Sequence, residues 1–307
     1  MATTGARTPQ FSQKQSGGAF AYADIRRHPA AVFFVDSTNS LASDSEGFGE
    51  NPDMPFATID YAVSQCTDSV GDVIYAMPGH IEVLTAGGDL DLDVIGISVR
   101  GLGEGALQPV ISFTTIISVD MDVDAASITC ENLNFQAAFA DITAMIDVNA
   151  TDFTLRNCRF TQSAVDMNAL ICVQDAAGAG SDRITIENCE AIMYDASNTH
   201  FVNFAGTGEE HIVRNNVLLG DWGTVAVGGA GVLILWTVAD NYIHNIAAAD
   251  DAGIATAATS TGMVYNNRLG YGDVGNATTA IDCDLCAMCE NYVVDSVSAA
   301  QGILDPA

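Results

Sequence analysis

Apolar and polar residues alternate with a period of two along most of the chain, and they do so in recurring blocks. ITCENLNF (128–135), FTLRNCRF (153–160), ITIENCEA (184–191) and HIVRNNVL (211–218) share one pattern: alternating apolar residues, a charge, then asparagine. TVADNYIH (237–244), GMVYNNRL (262–269) and AMCENYVV (287–294) continue it. Alternation of this kind predicts half-buried strands. With Asn132, Asn157, Asn188, Asn215, Asp240, Asn266 and Glu290 taken as equivalent, the intervals are 25, 31, 27, 25, 26 and 24 residues. A second short strand recurs out of phase: AMIDV (144–148), ALICV (169–173), HFVNF (200–204), TVAVG (224–228), AGIAT (252–256), AIDCD (280–284) and GIL (302–304). Each period holds at least two strands and no helix, which predicts a solenoid winding one coil per repeat, with coils stacked ~4.8 Å apart.

Stacking gives the corner residues a physical role. Asparagine tolerates the left-handed backbone of a tight turn, and its amide can bond to neighbouring coils, so Asn132, Asn157, Asn188, Asn215 and Asn266 are expected to form a corner ladder. The preceding residues Glu131, Arg156, Glu187 and Arg214 alternate in sign, which predicts an ion ladder with each charge between opposite ones. Cys130 falls in the inward column of Leu155, Ile186 and Val213, and Cys158 and Cys189 share another. Ahead of the repeat, Phe56, Ile59, Val63 and Cys66 lie on one helical face, predicting a short amphipathic helix that caps the first coil, with strands beginning at GDVIYAMPGHIEVL (71–84).

Charge changes the picture next. Thirty-nine acidic residues face ten basic ones, giving −29 in 307 residues. Residues 1–27 hold Arg7, Lys14, Arg26 and Arg27 against Asp24, a net +3, which leaves six basic against 38 acidic residues, −32, for the remainder. Nucleic acid is thereby an unsuitable partner, since its recognition rests on neutralising phosphates. Residues 1–30 are read as a flexible basic arm and 31–307 as the solenoid domain. No apolar run reaches the ~20 residues of a membrane span or resembles an export signal, so no membrane partner is expected and synthesis is placed in the cytoplasm. The eight cysteines are expected to stay reduced.

Candidate chemistry is sparse. VDMDVD (119–124), DLDLDV (89–94) and IDCDL (281–285) alternate aspartate with apolar residues; Val119, Met121 and Val123 are read as core, with Asp120, Asp122 and Asp124 on a wet face. Same-side residues ~6.6 Å apart along one strand cannot all reach one ion. Asp250 and Asp251 are the best adjacent carboxylate pair for glycoside chemistry, though a surface turn explains them equally. His80, His211, His28, His200 and His244 are read as structural. Cys283, Cys286 and Cys289 lie across a predicted strand and corner, so no metal site, no cofactor and no catalytic residue is assigned. Tyr242, Tyr265 and Tyr292 are placed near one another in successive coils, where stacked tyrosines serve packing or a sugar platform.

NPDMPFATIDYAV (51–63), GDVIYAMPGHIE (71–82), GISVRGLGEGALQPVISF (96–113) and the ITIENC-type strands together resemble the right-handed parallel β-helix proteins of the pectin-lyase-like superfamily, and more narrowly β-helix virion proteins of tailed bacteriophages. The resemblance spans roughly residues 32–305. It implies an all-β, right-handed parallel β-helix with a short capping helix. It also implies a structural virion protein, a capsid decoration or head-fibre component, homotrimeric, docked on the major capsid protein or other virion subunits partly through Arg7, Lys14, Arg26 and Arg27. The alternative is a carbohydrate-active β-helix, a polysaccharide lyase or glycoside hydrolase acting on host surface glycan, or a glycan-binding module without catalysis. A lyase would need an aspartate-bound calcium beside a basic residue, and Arg100, Arg159, Arg183 and Arg268 show no such acidic surroundings in the sequence.

Overall fold

The computed structural model describes residues 30–175, 181–246, 252–271, 280–295 and 302–304. Three sheets run along a solenoid, each built by parallel pairing of equivalent strands from successive coils. The first holds ten strands, from Val32–Val35 and Val73–Ala76 through Thr129–Glu131 and Thr154–Arg156 to Thr261–Tyr265 and Leu285–Cys289. The second runs from Ile81–Leu84 to Asn291–Asp295, and the third from Met121–Val123 to Ile281–Asp282. The block read as one strand and corner is two strands, for instance Thr129–Glu131 and Asn134–Ala137, joined by a two-residue corner. Each full coil therefore contributes three strands, within the expectation of at least two, and the third went unseen because the corner is too short to interrupt the alternation visibly.

At that corner Asn132, Asn157, Asn188, Asn215, Asp240, Asn266 and Glu290 all have φ between +53° and +59°, the left-handed region that asparagine enters at least cost. Most of the corner's hydrogen bonding is carried one residue later. Leu133, Cys158 and Cys189 give way in that inward column to Asn216, Asn241, Asn267 and Asn291, all buried. Asn241 Nδ2 donates to the Val213 carbonyl (2.9 Å) and to Asn267 Oδ1 (3.0 Å), and its own Oδ1 accepts from Asn216 N–H (3.0 Å). Of the corner residues, Asn132 donates to the carbonyls of Gly101 (2.8 Å) and Gly103 (2.9 Å), Asn157 donates to Glu131 (3.4 Å), and Asn266 donates to Asp240.

The charge column is a broken ladder. Glu131 sits between Arg100 (3.6 Å) and Arg156 (3.0 Å), and Glu187 pairs with Arg214 (2.7 Å). Arg156 and Glu187 are backbone partners, yet no ion pair joins them among the described residues: Arg156 turns toward Glu131. Arg159 and Arg183, which looked isolated in sequence, pair with Glu190 (2.7 Å) and Asp152 (2.6 Å).

The interior is filled by the inward positions of all three sheets. Phe135 and Phe160 are backbone partners whose rings stack at 5.1 Å, and Phe160 meets Phe201 edge-on at 5.4 Å. Such aromatic pairs add to burial and fix the register of neighbouring coils. Cys130, Leu155, Ile186 and Val213 form one buried column, as their spacing predicts.

The two ends differ from expectation in detail. The solenoid's first sheet opens at Val32–Val35, before the strands anticipated from residue 71, because VFFV pairs in register with Val73–Ala76. The helix is one short element, Ile59–Ser64, capped by Thr58 and packed against those two strands. Ile59, Ala62 and Val63 are its buried face, and Cys66 lies beyond its end. Gly302–Leu304 does not continue the third sheet: it pairs antiparallel with Asn291–Asp295 and covers the terminal edge of the second, one way to blunt an exposed strand. The arm residues Arg7, Lys14, Arg26 and Arg27, and the Asp250/Asp251 pair, lie outside the described residues. No helix among the described residues is long and apolar enough to cross a membrane.

Candidate functional site

Val119, Met121 and Val123 enter the core, so Asp120, Asp122 and Asp124 face outward on the third sheet. What the sequence did not disclose is their neighbours. Asp91 pairs with Asp122, and Asp122 with Asp147, on successive coils. Asp60, from the capping helix, adds a fourth carboxylate at the top of this column: its Oδ1 accepts the Asp91 N–H at 3.5 Å. Below Asp147 the column continues as Gln174 and then Asn203. Six polar side chains thus form a track along the solenoid axis, one per coil, at ~4.8 Å intervals.

Local structure holds the track in place. The turn at Thr85–Asp89 is tied by Asp89, whose Oδ2 accepts from Thr85 N–H (2.6 Å), Thr85 Oγ1 (2.8 Å) and Ala86 N–H (2.8 Å). Asp120 accepts from Gly88 N–H at 3.3 Å, linking two turns, and Asp124 accepts from Asn149 Nδ2 at 2.9 Å.

These environments drive the carboxyl groups apart in acidity. The backbone N–H of Thr85 and its hydroxyl hold Asp89 below the usual carboxylate range. Partial burial, and then the negative neighbours Asp124, Asp93, Asp122 and Asp60, push Asp91 up to about 6. Asp122 is raised to about 6 by partial burial and by Asp120 and Asp124. Asp60, Asp120 and Asp147 are raised as well, in each case first by burial. Neighbouring carboxylates disfavour one another's ionised form, and Asp122 is among the charges that raise Asp91. Near pH 6 the column therefore holds protonated and ionised carboxyl groups within one coil of each other. The described residues contain no group of three or more His, Cys, Asp or Glu arranged to hold a metal ion.

Other candidates resolve differently. His80 is buried; its Nδ1 accepts the Ser37 N–H (3.0 Å), so Nε2 donates to Glu82 (2.9 Å), which also accepts from the Ile59 N–H (2.9 Å) and so ties the helix to the coils. His211 is buried against Phe204 at 4.5 Å, and burial lowers it to about 4. Tyr265 belongs to the first sheet, paired with Ala239 and Cys289, whereas Tyr242 and Tyr292 belong to the second; the three tyrosines do not share a face.

Cys286 and Cys289 lie on the strand Leu285–Cys289, and a turn closed by Cys286 N–H to the Cys283 carbonyl (3.1 Å) joins it to Cys283, just past Ile281–Asp282. Trp236 Nε1 donates to Cys286 Sγ at 3.1 Å. All eight cysteines are free thiols. Hydrogen bonds from Cys283 and then Trp236 lower the Cys286 thiol below its ordinary range, against the effect of burial. Alkylation of Cys286 followed by mass spectrometry should reach half its maximal rate at a pH below the ~8.5 of a free thiol, and Trp236→Phe should raise that midpoint.

Two shallow grooves mark the second sheet. One of about 340 Å³ is lined by Thr161, Gln162, Ala164, Val165, Ile192 and Tyr194, and one of about 410 Å³ by residues around Arg268. No protein-family model matches the chain, and no curated protein matches it. Among solved structures it is similar to a rhamnogalacturonan lyase, with a TM-score of 0.51 and 13% identity over 78% of this chain and 68% of that one. A GH136 lacto-N-biosidase from Eubacterium ramulus is also similar, at a TM-score of 0.31 and 10% identity over 86% of this chain and 67% of that one. The first of these likenesses agrees with the strand pairing: the chain folds as a parallel β-solenoid of the kind found in that lyase.

Proposed function

We propose that the protein is a carbohydrate-active β-helix that hydrolyses a glycan along the polar track of its third sheet. The observation that carries this reading is the stacked pair Asp91 and Asp122, raised together to about 6 in the middle of a one-sided acidic column. Glycoside hydrolysis uses one protonated and one ionised carboxyl group flanking the scissile bond, ~5 Å apart for a covalent intermediate and up to ~9.5 Å apart for direct attack by water. A backbone spacing of ~4.8 Å between Asp91 and Asp122 accords with the first class. One carboxyl of the pair serves as general acid and the other as nucleophile; we assign the acid to Asp122, which lies between Asp91 and Asp147, and the nucleophile to Asp91. Gln174 and Asn203 extend the track with amides suited to sugar hydroxyls. That a solved structure sharing the fold bears the name of a polysaccharide-cleaving enzyme accords with this reading.

Incubation with a panel of acidic and neutral polysaccharides at pH 6 tests it. New reducing ends with retained anomeric configuration are expected. Unsaturated product ends would mean elimination and defeat the hydrolytic assignment, and polysaccharides bound but left intact would defeat catalysis altogether. The shell-protein reading drawn from the resemblance rests on the basic arm outside the described residues, and mass spectrometry of purified virions is its test.

A further inference from the structure

The second sheet carries a constellation that the carboxylate track does not use. Tyr242, Arg268 and Tyr292 are register partners on three successive coils, in one outward column. Beside them His244, Gly270 and Val294 form the next outward column. Together these side chains line the groove of about 410 Å³.

Three independent features mark this groove as built to receive something. Arg268 is exposed and has no carboxylate within ion-pair distance among the described residues, whereas Arg100, Arg156, Arg159, Arg183 and Arg214 each have one. Secondly, Tyr242 and Tyr292 remain 47% and 42% exposed on either side of it, two coils or about 9.6 Å apart at their backbones. Thirdly, Gly270 sits mid-strand without a backbone conformation that requires glycine. A Cβ there would meet only His244, at 3.4 Å. Glycine inside a strand costs stability and commonly marks close approach of another molecule; here it leaves an open recess between His244 and Val294, next to the arginine.

We propose that this groove is a binding subsite for a saccharide bearing an anionic substituent, a carboxylate or a sulfate, separate from the hydrolytic track. The sugar ring lies over the Gly270 recess between the two tyrosines, whose faces favour the C–H side of a pyranose, and the substituent accepts two hydrogen bonds from the Arg268 fork. His244 and the tyrosine hydroxyls contact the ring hydroxyls. The local charge of Arg268 selects the substituent against a strongly negative body, so neutral chains lose the main polar anchor.

Calorimetric titration of the full chain with a mannuronate hexasaccharide, its neutral carboxyl-reduced counterpart and a sulfated hexasaccharide tests the assignment. At least one anionic oligosaccharide is expected to bind about tenfold or more tightly than the reduced one, and which of the two binds identifies the anion. Arg268→Ala should remove that preference, and Gly270→Val, which fills the recess, should abolish binding; thermal melting confirms that each variant is folded. Equal affinity for the reduced oligosaccharide, absence of binding to all three, or an unchanged preference in folded Arg268→Ala overturns the proposal. Because neither substitution touches the third sheet, cleavage of short substrates should survive both, and Asp122→Asn should leave the groove's affinity intact. The subsite and the hydrolytic reading can therefore fail separately.

Discussion

Asp122→Asn is expected to lower the rate of glycan hydrolysis by about 10³-fold, the usual contribution of a positioned general acid. Asparagine keeps the shape and removes the proton, so substrate affinity should change little. In the unmodified protein the rate should peak near pH 6 and fall on both sides, as the Asp91/Asp122 pair becomes fully protonated or fully ionised. The same substitution should stabilise the fold at neutral pH. A carboxyl group raised to about 6 when folded but titrating near ~3.9 when unfolded binds extra protons in the native state between those values. Its favourable contribution is complete below the unfolded value and is lost as pH rises through about 6. Thermal melting should therefore show Tm falling between pH 4 and 6.5, with a shallower fall in Asp122→Asn. At pH 7 the variant should gain about 2 °C, a modest figure because these carboxyl groups are largely solvated and screened. Concentrated salt should shrink the difference. A variant that keeps full activity would remove Asp122 from the chemistry, and one that melts lower at pH 7 would contradict the repulsion argument.

Asn241→Leu is expected to destabilise the solenoid by about 4 kcal/mol. Leucine has nearly the same volume, so the loss is one of hydrogen bonds in a fully buried column. It removes the acceptor of Asn216 N–H and Nδ2, both at 3.0 Å, and the donor to Val213 and Asn267. Each buried group left unpaired costs ~1–3 kcal/mol. Urea unfolding gives the total. Because coils interact only with their neighbours, hydrogen exchange should show the loss concentrated at Asn216 and adjoining coils. Asn215→Ala, one residue before Asn216 in the same corner, should cost only ~1–2 kcal/mol, for placing a Cβ in the left-handed region. If both substitutions cost the same, the corner conformation and not the amide column holds the coils together.

These two results would weigh what each level of structure contributes. The corner positions were legible as a column because a positive φ at a tight turn selects asparagine wherever it recurs. The amide column beside it was not, because it starts as Leu133, Cys158 and Cys189 and becomes asparagine only from Asn216 onward. An inward asparagine after a corner asparagine, NN at 215–216 and 266–267, was the available signal. The same limit applies to charge. The alternation of Glu131, Arg156, Glu187 and Arg214 was visible, but a side chain that can reach up or down the stack chooses one neighbour, and Arg156 chose Glu131.

The sequence by itself determined the coil: its alternation placed residues inside or outside, and its corner asparagines set where one coil becomes the next. Only the tertiary structure decided which outward residues meet. Asp91 and Asp122 are 31 positions apart and Asp122 and Asp147 are 25 apart, so no fixed period aligns them; the lengths of the intervening loops do. Tyr242 and Tyr265 are separated by one coil's worth of chain, yet they face different sides, while Arg268 lands between Tyr242 and Tyr292. In a solenoid the face is set by position within the coil and the neighbour by stacking. Periodicity reveals the first, whereas register between unequal loops fixes the second.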